Sequence, residues 1–236
     1  MLILLLISGN AYGQDYSQLT SGLGFSIIPE IIYVSSANVQ LYPYSTDYFE
    51  KNFTEDIDGS YGYGITLRKK LFSHDLSFGI SLEFLKITDD ALTQTFSNDS
   101  ITVRARVTEE LSVMPLEFTG YFNLPNFTEN LNIFLGGGIG YYFGDRKRTV
   151  LNIQSTTISK KPGVSLIILS GMEYFFTKEF SGIFEIKFRQ AEYSVRSSFP
   201  DSQIKINGNY YQIDRELNSK IFVDGLKLSL GISYNF

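Results

Sequence analysis

Nine charged side chains are the residues of this chain whose types and spacing could do chemistry: Glu30, Arg68, Glu83, Glu117, Glu173, Glu185, Lys187, Arg189 and Lys227. Each shares its parity with glycine or serine in a run whose alternate positions are leucine, isoleucine or aromatic. Five acids and four bases on one side of a set of ribbons can serve as a proton or ion path, or as a gate that re-pairs. They can also simply compensate one another inside a closed interior. The compensating reading is favoured, because buried charge has to be matched wherever it occurs.

Other chemical groupings fail on context. Ser73-His74-Asp75 contains the residue types of a hydrolytic triad, and His74 is the one histidine of the chain. Three neighbours on a tight turn cannot place a nucleophile, a base and an orienting acid around one another, so no catalytic residue is expected. Gly136-Gly137-Gly138-Ile139-Gly140 lacks the full spacing of a phosphate-cradling loop and lies within an alternating run, where glycine lets a sheet bend. Cysteine is absent, which removes disulfides, thiolate metal sites and a cysteine nucleophile. No acidic spacing resembles a calcium loop. Neither a cofactor nor a metal is expected. With 25 acids against 20 bases and a formal charge of -5 there is no nucleic-acid footprint.

The elements that must position the nine charges are strands. Period-two alternation predicts eight of them, near residues 22–35, 59–71, 75–88 or beyond, 101–124, 131–143, 163–176, 180–195 and 225–236, with no convincing helical spacing. Their apolar sides are long: Leu76, Phe78, Ile80, Leu82 and Phe84 on the third, Val164, Leu166, Ile168, Met172, Tyr174 and Phe176 on the sixth. A charge facing lipid at the bilayer midplane costs about 2 to 4 kcal/mol. Nine such charges therefore point inward, and the apolar sides meet hydrocarbon.

Connections near residues 73–75, 125–130 and 177–179 are short, whereas those at 36–58, 89–100, 145–162 and 196–224 are long. An even strand number with short turns at one end and long loops at the other is the habit of bacterial outer-membrane barrels. The fold class expected is all-β: a closed antiparallel up-and-down transmembrane barrel of eight strands, with hairpin extensions on the extracellular side. Asn207-Gly208 marks a two-residue hairpin turn. A ten-stranded barrel using it is the rival, though its arms are short and polar. An eight-stranded bore is just wide enough for its own side chains, so a plugged, salt-bridged lumen is expected.

Residues 1–13 carry the apolar run 2–7 and end in Ala11-Tyr12-Gly13, which reads as a signal peptide cleaved before Gln14; residues 14–236 are then the barrel domain. Composition agrees with a membrane boundary, since there are 16 tyrosines and 20 phenylalanines. Among the loops, the first is acidic (Asp47, Glu50, Glu55, Asp56, Asp58) and the third basic (Arg146, Lys147, Arg148, Lys160, Lys161). These are expected to be solvated, with mutual pairing or contact with lipopolysaccharide phosphates as the alternatives.

The final run, Leu226 to Phe236, closes on Tyr234 and Phe236 and resembles the C-terminal assembly signal of outer-membrane proteins, with Leu228, Leu230, Ile232, Tyr234 and Phe236 as its apolar positions. The mature chain resembles the small outer-membrane β-barrel domain family that includes the OmpA and OmpX type barrels, particularly the versions common in Bacteroidetes. The stretch Leu111-Ser-Val-Met-Pro115-Leu-Glu-Phe118 is similar to theirs. That resemblance implies recognition of the last strand by the barrel-assembly machinery, insertion as a monomer and no fixed catalytic residues.

The functional expectation is a non-enzymatic barrel of the bacterial outer membrane, in contact with membrane lipid and lipopolysaccharide. It would present strand edges near residues 93–107 to an extracellular protein or surface ligand, so that substitution at Val103 and Val107 weakens binding. A narrow channel or transporter for ions or small solutes is the alternative.

Overall fold

The computed structural model describes residues 24–71, 75–98, 101–125, 128 and 130–236. The leader assigned to residues 1–13 and the turn residue His74 lie outside them. In chain order the elements are β1 (Phe25–Gln40), a one-turn helix α1 (Tyr48–Asn52), β2 (Thr54–Lys70), β3 (Leu76–Ser97), β4 (Thr102–Asn123), β5 (Leu131–Val150), β6 (Ile153–Gln154), β7 (Thr156–Lys161), β8 (Gly163–Phe175), β9 (Phe180–Arg189), β10 (Glu192–Ser198), β11 (Gln203–Ile206), β12 (Asn209–Gln212), β13 (Glu216–Phe222) and β14 (Gly225–Asn235).

Eight of these strands close a ring in the order β1, β2, β3, β4, β5, β8, β9, β14, and β14 pairs back to β1 from Ser26 opposite Asn235 to Val34 opposite Lys227. Every pair is antiparallel. Closure is sealed at its lower edge by two backbone bonds, from the Phe25 amide to the Phe236 carbonyl at 3.1 Å and from the Phe236 amide to the Phe25 carbonyl at 2.9 Å. A closed ring leaves no unpaired edge in hydrocarbon, which is the condition for strands to cross a bilayer.

The outer wall of the ring is apolar. Ile31, Tyr63, Phe78, Leu166, Ile168, Leu230 and Ile232 are all strongly exposed there. Aromatic pairs mark its two borders: Phe180 with Tyr234 and Tyr234 with Phe236 at the short-turn end, Tyr33 with Tyr61 and Tyr63 with Phe84 at the other. Such girdles sit at the headgroup level of a transmembrane barrel.

Beyond the outer girdle the strands continue as a second, extracellular storey. Here β1 passes from β14 to β13, β13 pairs with β10, and β10 pairs with β7. Four expectations are corrected at this level. The connection 145–162 is largely strand, because β5 runs on to Val150 and is followed by β6 and β7; that at 196–224 contains β13 as well as the hairpin. The first connection holds a helix, started by the Asp47 carboxylate, which accepts from the amides of Phe49 and Glu50 at 2.8 and 3.1 Å. The strand predicted over 180–195 is divided into β9 and β10 at Gln190-Ala191, where the Ala191 amide turns to the Asp224 carboxylate at 3.0 Å.

The Asn207-Gly208 turn joins β11 to β12 as predicted, with both residues at positive φ (48° and 88°). Its four-residue arms form a separate sheet outside the ring. Ile204, Ile206 and Tyr211 bury themselves against Phe96, Val107 and Leu217, so the hairpin caps the extracellular storey.

Candidate functional site

Strand parity brings all nine predicted charges into the bore, and the side chains divide into two clusters. The lower one, toward the short turns, is built around Arg68 of β2. Its guanidinium reaches Glu185 at 3.0 Å and Glu173 at 3.4 Å, and its plane lies over the Tyr121 ring at 4.1 Å. Ser181 donates to the second oxygen of Glu173 at 2.5 Å. Phe134, Ile167 and Leu169 pack this level from the other side.

The upper cluster has two acidic hubs side by side on neighbouring strands, Glu83 of β3 and Glu117 of β4, both fully buried. Lys187 and Arg189, two apart on β9, both point inward and bridge the hubs: Lys187 to Glu117 at 2.5 Å and Glu83 at 3.8 Å, Arg189 to Glu83 at 2.8 Å and Glu117 at 3.3 Å. Lys227 of β14 donates to Glu83 and lies 3.9 Å from Glu30, to which Thr66 also donates at 3.2 Å. Tyr142 closes the top with a 2.6 Å bond to Glu117.

Above the hubs the interior changes character. Ile32, Val34, Ile57, Ile87, Val113, Ile221 and Val223 meet in a dry layer across the bore, each no more than 1 % exposed. These side chains come from β1, β2, β3, β4, β13 and the residue after β13, so the interior holds two stacked layers, one of paired charge and one of hydrocarbon.

A further charged cluster lies above that layer and was missed as an interior site by sequence reasoning. Arg146 grips both oxygens of Glu109, at 2.5 and 3.0 Å, and donates to Ser219 at 2.6 Å. Arg148 bonds Glu109 at 2.8 Å, both oxygens of Glu55 at 2.6 and 2.9 Å, and Gln94 at 3.1 Å. Arg146 and Arg148 are 0 % and 2 % exposed, so the expectation of a solvated basic loop is corrected for these two. Acidic and basic loops do meet, through Glu55 and Arg148. Burial pulls the Arg148 proton affinity down, but the carboxylates of Glu55 and Glu109 outweigh it and hold the guanidinium charged. Lys147, Lys160 and Lys161 stay on the outside, with Lys160 on Asp145 at 2.6 Å.

The edge assigned to residues 93–107 is also revised. Val107 is fully buried and is flanked on both sides, by Leu92 of β3 and Val150 of β5. A bulge on β3 between Asp89 and Leu92 changes which residues face inward, which carries Leu92 and Phe96 into the core of the extracellular storey.

Tyr42 packs against both apolar clusters of this storey. Burial, reinforced by a hydrogen bond to the Asp214 carboxylate, pushes its hydroxyl up to about 12. Below the ordinary tyrosine value of about 10 folded and unfolded chains both hold that proton; from there to about 12 only the unfolded chain releases it. The storey therefore loses stability across that window as pH rises. The tyrosinate absorbance lost on Tyr42→Phe is expected to titrate near the upper value; a midpoint near the lower one would show a solvated hydroxyl.

Layered interior, aromatic girdles and apolar wall together define a transmembrane β-barrel of the bacterial outer membrane. No protein-family model matches the chain, and no curated protein matches it. Solved structures do. The outer membrane protein OprG from Pseudomonas aeruginosa superposes with a TM-score of 0.57 at 12% identity, covering 92% of this chain and 98% of OprG. The outer membrane protease OmpT from Escherichia coli gives 0.50 at 6%, covering 92% and 99%. Neisserial surface protein A gives 0.45 at 11%, covering 90% and 97%. At these identities the likeness is one of fold.

Proposed function

We propose that the chain is a non-enzymatic, monomeric surface-interaction barrel whose membrane ring is a sealed anchor for a rigid extracellular storey. The observation that carries this reading is the pair of stacked interior layers, the ion-paired Glu83 and Glu117 hubs and the dry layer around Ile32 and Ile221, which we read as a double closure of the bore. A conducting pathway would need both to move. The non-enzymatic reading rests on the sequence argument that Ser73-His74-Asp75, as chain neighbours on a tight turn, cannot place a nucleophile, a base and an orienting acid around one another.

What the storey offers to a partner is strand edge. Pairing between β2 and β3 ends at Gly62 opposite Leu85; above that level β2 pairs with β1 and β3 with β4. Among the described residues the upper edge of β3 therefore has no ladder partner on that side, with β12 of the capping hairpin near it, and we read it as the edge that accepts an extended segment of another protein by strand addition. Lys147 and Lys161, on the outer side of the same storey, stand where lipopolysaccharide phosphates would meet them. Leu228 to Phe236 is proposed as the segment read by the barrel-assembly machinery, and residues 1–13 as the leader removed before insertion.

Two measurements test the reading. In planar bilayers the purified barrel is expected to show no steady single-channel current; a stable unitary conductance would replace this proposal with a channel. Thr93→Lys with Thr95→Lys, both on exposed positions of β3, places charge along the edge. Adhesion of cells displaying the barrel should fall to the level of cells without it, with unchanged heat-modifiable gel mobility. Undiminished adhesion would remove the β3 edge as the docking site.

A further inference from the structure

We infer that the lipid-facing wall carries a seat for one acyl chain of an anionic phospholipid from the periplasmic leaflet, with its phosphate at Lys69. The register around the ring sets out one outward row: Phe25 opposite Lys69, Lys69 opposite Phe78, Phe78 opposite Gly120, Gly120 opposite Gly137, Gly137 opposite Ile168. The row above it passes through Ile80, Phe118 and Ile139, and the row below through Leu76, Phe122 and Leu135. Only in the middle row, across β4 and β5, does the wall drop to bare backbone. The result is a groove of about 530 Å³, walled by Phe78, Phe118 and Ile139 and floored by the two glycines.

The fold itself does not demand a glycine at position 120. A Cβ there would meet nothing closer than the Phe78 ring at 3.5 Å, an ordinary contact. The inward glycines of the same sheet differ sharply, since a Cβ on Gly138 would stand 2.0 Å from the Phe118 carbonyl oxygen and one on Gly136 2.7 Å from that of Gly120. Packing therefore accounts for Gly136 and Gly138 but leaves the outward groove open to a ligand.

Charge names the occupant. One end of the groove reaches Phe25 and Lys69 at the short-turn border, where the Lys69 ammonium lies 3.9 Å from the centre of the Phe25 ring. From there the row climbs diagonally toward the middle of the wall, because strands in a closed barrel are tilted. A cation at the headgroup level with an apolar trough rising from it matches a phosphate and the chain it carries.

Native mass spectrometry of the full chain, released from mild detergent and titrated with phosphatidylglycerol or phosphatidylcholine of identical chains, tests this. One retained phosphatidylglycerol is expected, with an apparent affinity about tenfold above that of Gly120→Leu, in which the trough is filled. Gly120→Ala, which the surrounding contacts accommodate, should fall between the two and guards against a folding defect in the leucine variant; heat-modifiable mobility is recorded for each. Lys69→Gln should keep a lipid adduct but bind the two headgroups equally. Equal retention by the wild type and both Gly120 variants, or a phosphatidylglycerol preference that survives Lys69→Gln, would overturn the inference. So would a dimer lost in Gly120→Leu in place of a lipid adduct, which would assign the groove to a second copy of the chain.

Discussion

Glu83→Ala is expected to prevent or severely weaken folding of the membrane ring. Glu83 receives Arg189 at 2.8 Å and Lys227 as direct partners and has Lys187 at 3.8 Å, all in a site with no access to solvent. Removing it leaves three cations facing Glu117 and the more distant Glu30. Breaking a buried pair by deleting one partner costs about 3 to 5 kcal/mol, a large part of the stability of an ordinary domain. The loss is read as a lower urea midpoint for conversion of the compact, heat-modifiable band to the unfolded one. Glu83→Gln should recover part of it, since the amide oxygen still accepts one hydrogen bond. An unchanged midpoint in Glu83→Ala would mean that the hubs contribute nothing to closure.

Glu109→Ala is expected to act at the other level and spare the ring. Glu109 is the shared acceptor of Arg146 and Arg148, and the dry layer around Ile32 and Ile221 separates this cluster from the hubs below. Without it Arg146 retains the Ser219 hydroxyl, and Arg148 retains Glu55 and Gln94. An arginine with no exposure and no carboxylate is strongly destabilising, again by about 3 to 5 kcal/mol. The extracellular storey should open locally, and trypsin should cut after Lys160 at least tenfold faster, the bond after Lys161 being protected by Pro162. Heat-modifiable mobility of the protease-resistant ring should be unaltered. Loss of the compact band instead would show that the two storeys fold as one unit.

How far the sequence carries such an account depends on how long a strand keeps its parity. Glu117 and Glu109 share odd numbers on β4, whose predicted range 101–124 already contains both, and Tyr142, Arg146 and Arg148 share even numbers on β5, so the buried extracellular cluster follows from extending the β5 run past Phe143. Phe143 ended the predicted strand because polar residues follow it, yet the alternate ones, Arg146 and Arg148, point into a protein interior and not into lipid. Lipid-facing strands announce themselves by hydrophobic alternation, whereas an aqueous extension buries arginine and glutamate against each other and reads as a loop.

Where parity itself changes, the sequence is silent. On β1 the buried positions are even up to Val34 and odd from Ala37, with the switch at Ser35-Ser36. On β2 the same change falls at Gly59, where a Cβ would stand 2.4 Å from the Val34 carbonyl oxygen. The β3 bulge at Asp89 is another such point. These depend on neighbouring strands and have no local signature. The Asn207-Gly208 hairpin was legible because its turn chemistry is contained in two residues, while its destination as a cap was not.

The central claim is that the leucine, isoleucine and phenylalanine side of the ring meets hydrocarbon and the charged side is enclosed. The chain contains no tryptophan, so a single introduced indole reports its own surroundings. Tyr121 and Phe122 are neighbours on β4 with opposite directions, 2 % and 47 % exposed. In liposomes of lipids brominated along the acyl chain, fluorescence of Phe122→Trp should be strongly quenched and that of Tyr121→Trp left near its value in unbrominated lipid. Strong quenching of Tyr121→Trp with an unquenched Phe122→Trp would contradict the placement.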